Sequence, residues 1–172
     1  RDSMFYYCSN LQTIYVDDNW AMQNGRNVVS MFYHCISLVG GAGTIYDSSY
    51  RDSEYAHIDG GSNNPGLFTR KGTEKAKPMA FSLSQELYHV GERFNRSDHR
   101  LNVMFDNDNV SQVSLSSSEN IKISGEFDPY TPVEQQRTIE YWGLTATVTL
   151  TVVDEDGFYK TYDENTHTAT LS

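Results

Sequence analysis

The run 145–153, TATVTLTVV, constrains this chain more than any other stretch. Ala146, Val148, Leu150 and Val152 alternate with mostly threonine neighbours, and side chains two apart share one face of a strand. A helix of this sequence would scatter its apolar groups around the axis and crowd β-branched side chains against the preceding turn. The run is therefore expected as an antiparallel strand with one buried and one wet face. Asp154-Glu155-Asp156-Gly157 follows with turn chemistry. That predicts a hairpin to a partner strand over 157–162, with an edge strand at 168–171.

The same reasoning places short strands at 4–8, 13–16, 28–39, 44–46 and 55–58, separated by the Gly- and Asn-rich loops 40–43 and 60–66. The basic, polar run 69–77 reads as a connection. In 79–94, Met79, Leu83, Leu87, Val90 and Phe94 fall on one helical face, which predicts a helix, although Phe81 and Leu83 also suit alternation with Ser82 and Ser84. The expected fold is mainly β: an antiparallel Greek-key β-sandwich in two modules, 1–78 and 79–172, the second preceded by one short helix. Abundant Tyr, Thr and Val support this, and no apolar run approaches the roughly 18 to 20 residues needed to cross a bilayer.

The net charge of −10 is lopsided. Residues 1–100 hold 10 Lys/Arg against 11 Asp/Glu, and residues 101–172 hold 3 against 12. An acidic second half repels phosphate backbones, so nucleic acid and anionic membrane are not expected partners. Cys8 and Cys35 sit in the similar runs MFYYC and MFYHC. Side by side, those runs would let a disulfide form, the alternative being two buried thiols. The triplets at 95–97 and 109–111 fit the N-glycosylation pattern, and the charged, aromatic start suggests a mature secreted form or an excised domain.

Three chemistries compete. Gln85-Glu86-x-x-His89 is one ligand short of the zinc peptidase signature; on a helix Glu86 would be the general base, with His89, His99 and Asp98 as conceivable ligands. Glutamine is a poor zinc ligand, so a zinc-dependent hydrolase, or its inactive relative, stands as the alternative reading. A second chemistry starts from Asn27-Val28-Val29-Ser30 and Asn107-Asp108-Asn109-Val110-Ser111, where Asn or Asp precede Ser as the chain enters an apolar run. With Asn19-Trp20, Gly43-Thr44-Ile45-Tyr46-Asp47 and Ile58-Asp59-Gly60, these residues resemble a Greek-key motif of the βγ-crystallin family, mainly over 1–67. The resemblance implies calcium as cofactor, with Asn27, Ser30, Asp106, Asn107, Asp108 and Ser111 as candidate ligands. Crowded oxygens in Asp106-Asn107-Asp108-Asn109 suit a hard cation, although Asx-rich turns also cap their own backbone.

The third is metal-free recognition. Twelve tyrosines supply rigid amphipathic area for a protein or carbohydrate partner. The resulting expectation is a secreted, calcium-stabilised binding or adhesion module, with no catalytic residue unless Glu86 serves as one.

Overall fold

The computed structural model describes residues 4–22, 28–157, 160–163 and 168–171. Residues 78–153 are built into two sheets. The first has the order β3-β5-β6, from β3 (Pro78–Leu83), β5 (Arg100–Phe105) and β6 (Val110–Ser114), all antiparallel. The second has the order β4-β9-β8-β7, from β4 (Leu87–His89), β7 (Lys122–Ser124), β8 (Glu134–Tyr141) and β9 (Leu144–Val153). In it β7, β8 and β9 form an antiparallel meander, and β4 adds in parallel beside β9. The two inner faces share one core. Leu83, Leu101, Val103, Phe105 and Val113 come from one sheet and Tyr88, Ile139, Tyr141, Val148, Leu150 and Val152 from the other. This is the layered packing that alternating strands require.

The run 145–153 is a strand as expected, and Val148, Leu150 and Val152 are its buried side chains. Its hairpin partner differs from the prediction. Trp142 and Gly143, both left-handed at φ 55° and 75°, give the two-residue turn that matches strand twist, so β9 pairs with β8. The acidic turn does close, with Gly157 N donating to Asp154 O, but β10 (Lys160–Asp163) pairs with β11 (Thr168–Leu171) instead.

No α-helix occurs among the described residues, which corrects the helix expected over 79–94. Phe81 and Leu83 pair with Val103 and Leu101, and this ladder overrides the weak helix propensity of a Ser-, Phe- and Tyr-containing segment. The helical face that would have set Gln85 beside His89 is therefore missing.

Among the described residues the first half, unlike the second, shows no β-sandwich. Its regular structure is β1 (Ile14–Val16) paired in parallel with β2 (Phe68–Arg70), two isolated bridges and two 3-10 turns at Ser53–Tyr55 and Gly61–Asn63. The chain instead winds into two coils of successive turns, the same turns recurring at an offset of 27 residues, with backbone hydrogen bonds joining the coils. Phe5 N donates to Met31 O at 3.2 Å, Tyr7 N to Tyr33 O at 2.8 Å and Val39 N to Gln12 O at 3.1 Å. Each coil repeats the same turns, Cys8 N to Phe5 O and Leu11 N to Cys8 O, then Cys35 N to Phe32 O and Leu38 N to Cys35 O.

One buried carboxylate organises the loops beneath these coils. Asp59 Oδ2 accepts from Ala42 N and Thr44 N, both at 2.9 Å. Its Oδ1 accepts from Thr44 Oγ1 at 2.7 Å, Gly61 N at 2.9 Å and Gly66 N at 3.3 Å. The glycine loop 40–43 thus presents amides to an anion from its own chain. A Cβ at Gly40 would lie 2.2 Å from Gly66 O and 2.5 Å from Asp59 Oδ2, so no larger residue fits there.

Candidate functional site

The two coils carry an exposed aromatic cluster. Tyr6 stacks on Tyr33 with ring centroids 5.1 Å apart and planes 18° from parallel, Tyr7 lies 5.0 Å from Tyr6 and 5.5 Å from Tyr33, and Tyr7 lies 4.7 Å from the His34 ring. Tyr6 is 49% exposed, Tyr7 58% and Tyr33 36%, with Met4 exposed on the same coil as the first two. Three tyrosines and a histidine therefore form one open platform.

The backbone shows that this placement is held. Tyr7 and His34, equivalent in the two coils, are left-handed at φ 60° and 62°. A bulky non-glycine residue there is an outlier carrying roughly 1–2 kcal/mol of strain, and such strain persists where neighbours over-determine it. The neighbours are visible. His34 N donates to the hydroxyl of buried Tyr46 at 3.0 Å, and Cys35 Sγ donates to Phe5 O at 2.9 Å. Below the platform Phe5 and Phe32 stack at 5.7 Å and 4°. Ser30, also left-handed at φ 61°, donates its N–H to Asp52 Oδ1 at 2.6 Å and so fixes the entry to the second coil.

The cysteine runs do lie side by side, but both thiols are free, in place of the expected disulfide. Cys35 is buried, and burial pushes its thiol up to about 11, so it behaves as a small core residue. Cys8 is half-buried.

The candidate calcium ligands separate. Asn27 lies outside the described residues, and Ser30 belongs to the coil entry just described. Asp106, Asn107, Asp108 and Ser111 share the β5–β6 hairpin, where they clasp the first half. Asn107 Nδ2 and Asn109 Nδ2 both donate to Ala42 O, at 3.0 and 2.9 Å, Ser111 Oγ donates to Gly43 O at 2.7 Å, and Asp106 Oδ1 accepts from Lys77 N at 2.9 Å. Asp108 takes the left-handed turn position at φ 63°. Among the described residues no group of three His, Cys, Asp or Glu side chains converges as a metal site.

Glu86, the alternative catalytic residue, sits in the turn between β3 and β4. Its Oε1 accepts from Leu83 N at 3.1 Å, and its carbonyl accepts from Thr151 N at 2.7 Å. His89 is exposed on β4. His99 is buried, with Nε2 2.6 Å from the Tyr88 hydroxyl and its ring edge-on to Phe94 at 4.7 Å. These residues cap a turn and fill a core.

Residues 84–152 match the family model of the bacterial Ig-like domain (group 3). The match runs from the turn before β4 to residue 152 in β9 and so takes in strands of both sheets, with β3 outside it. The likeness is to a β-sandwich domain and is confined to the second half. A solved structure, the solution structure of a presumed surface protein, is 25% identical, covers 48% of this chain and 93% of its own, and superposes with a TM-score of 0.28. No curated protein matches the chain. Nothing in the comparisons corresponds to the crystallin resemblance of residues 1–67. Sequence reasoning also missed the platform. The signal that could have found it was the repeated MFYxC run, read as two strands when it marks two stacked coils.

Proposed function

We propose that this chain is a binding or adhesion module of a bacterial surface protein, in which an Ig-like domain supports a coiled unit that presents Tyr6, Tyr7, Tyr33 and His34 to a protein partner. One observation carries the reading: four aromatic side chains stand exposed together, two of them, Tyr7 and His34, on left-handed backbone. Folding alone would favour glycine at positions 7 and 34, and burial would favour turning the rings inward. Tyrosine supplies large contact area with little rotamer entropy to lose, and it is enriched at protein interfaces. The Ig-like match supports a surface setting.

An array of extracellular and cell-surface proteins, probed with the labelled chain, tests this. Binding is expected on discrete spots and is expected to be lost in Tyr6→Ala/Tyr33→Ala, with the melting temperature of that variant within a few degrees of the parent. Binding unchanged by the double substitution, or confined to glycan spots printed in parallel, would remove the platform from the account.

A further inference from the structure

A second site lies in the Ig-like domain itself. A cleft of about 680 Å³ opens between the loop that follows β4 and the segment joining β7 to β8, and its lining includes Arg93, Phe94, Arg96, Phe127, Tyr130 and Arg137. The lining has three guanidiniums and no carboxylate. In a chain of net charge −10 with 13 Lys/Arg in total, that concentration of cations needs a reason.

The three arginines are not equivalent. Arg96 Nη2 is spent on Leu115 O at 2.7 Å and Ile121 O at 3.0 Å, which ties two loops together. Arg137 donates Nε to Ser124 O at 3.2 Å and lies over the Phe94 ring at 5.1 Å, which leaves its terminal nitrogens without an acceptor among the described residues. Burial lowers its pKa, the mark of a guanidinium partly stripped of water. Arg93 is exposed and lines the cleft. Two planar donor forks thus face a cleft that holds no internal anion.

The far wall is braced. Asp128 N donates to Gln135 Oε1 at 2.7 Å, Gln135 Nε2 donates back to Asp128 O at 2.6 Å, and Tyr130 N donates to Asp128 Oδ1 at 2.9 Å. Gly91 N donates to Pro129 O at 2.8 Å, and Phe127 packs edge-on against Tyr88 at 5.0 Å. Tyr130 is left 62% exposed at the rim.

We propose that this cleft binds a carboxylated sugar, with the carboxylate on Arg93 and Arg137 and a ring face against Phe127 and Tyr130. Paired guanidiniums match a carboxylate in geometry and charge. The surrounding acidic field counts against polyanions, because repulsion grows with ligand charge while the forks supply attraction at one place only. A monoanionic ring with apolar C–H faces satisfies both the forks and the aromatic wall, and pockets of roughly 300–1,000 Å³ hold ligands of that size.

Titration of the whole chain with sodium glucuronate, followed by amide chemical shifts at fixed ionic strength, tests the proposal. Glucose, acetate and a short Asp/Glu peptide serve as competing probes. Glucuronate is expected to shift amides around the cleft and to bind about tenfold more tightly than glucose or acetate. Arg93→Gln and Tyr130→Ala, both exposed, should each weaken it severalfold without moving the melt. No saturable shifts, acetate binding as tightly as glucuronate, tighter binding of the peptide, or indifference to both substitutions would each overturn the assignment.

Discussion

Replacing Asp59 by asparagine exchanges one side-chain oxygen for an NH₂ group and strikes the point where the first half is tied together. The carboxylate is 8% exposed and accepts five hydrogen bonds, two on Oδ2 and three on Oδ1. An asparagine keeps one acceptor oxygen and sets an NH₂ where the other stood. In the better orientation that NH₂ faces the amides of Ala42 and Thr44, which lose their acceptor and meet a like donor. Two orphaned buried donors cost about 1–3 kcal/mol each, and the bonds that survive lose the strength an ionised acceptor gives them. A loss of about 4 kcal/mol follows. For a chain of this size that lowers the melting temperature by roughly 8–16 °C.

Thermal unfolding monitored by tryptophan fluorescence is the assay. Trp20 donates Nε1 to Ala56 O at 2.9 Å and packs edge-on against Phe68 at 5.4 Å, so it reports on the core that these loops close. Thr44→Val removes one hydroxyl bond from the same carboxylate and should cost about 1 kcal/mol. A D59N midpoint within about 3 °C of the parent would refute the reasoning.

Lys75 joins the halves, with Nζ 2.7 Å from Thr13 Oγ1, 3.2 Å from Gln12 O and 4.6 Å from the Trp142 ring centre, and burial lowers its pKa from 10.5 to about 8. Between those two values the unfolded chain binds more protons than the folded one, so Lys75 should raise stability as pH climbs through 8 toward 10. The midpoint difference between parent and Lys75→Met, measured across that range, should grow with pH, and a flat difference contradicts it. Native alkylation followed by mass spectrometry should modify half-buried Cys8 first and Cys35 only on unfolding; a bridged species in non-reducing conditions would contradict the free thiols. Millimolar calcium should leave the melt unchanged, because Asn107 and Asn109 aim their NH₂ groups at Ala42 O, and a raised midpoint would place a cation among those loops.

What the sequence disclosed follows from which signals are local. The run 145–153 was legible because its whole pattern is period two. Its true partner was not, since in β8 only Ile139 and Tyr141 are buried. The turn was hidden as well, because tryptophan is not a residue that left-handed hairpin positions favour. Residues 79–94 fitted both periods, and pairing with β5 decided between them from outside the segment. The two MFYxC runs announced a repeat, but left-handed Tyr7 and His34 convert strands into coils, and no glycine marked those positions. Glu86 and His89 looked like a motif only while a helix was assumed. Arg93 and Arg137, 44 positions apart in the chain, line one cleft only because the fold brings their segments together.

The sequence match and the physical unit also have different edges. The family match begins at residue 84, yet the core it encloses continues into the first half, where Val39 and Ile45, at 0% and 1% exposure, pack in the same cluster as Leu101, Phe105 and Leu150. Gly43, left-handed at φ 100°, would press a Cβ to within 2.7 Å of the Phe105 ring, so the glycine loop and β5 meet without room for a side chain. Arg100 reaches Asp47 at 2.9 Å and Asn120 Nδ2 reaches Ser37 Oγ at 2.8 Å across the same seam. Burying two β-branched side chains contributes about 1.5–3 kcal/mol each, more than exposed ion pairs supply, so the shared core holds the halves together and the polar contacts set their register. A force applied at the first half would therefore reach the β-sandwich through packed side chains.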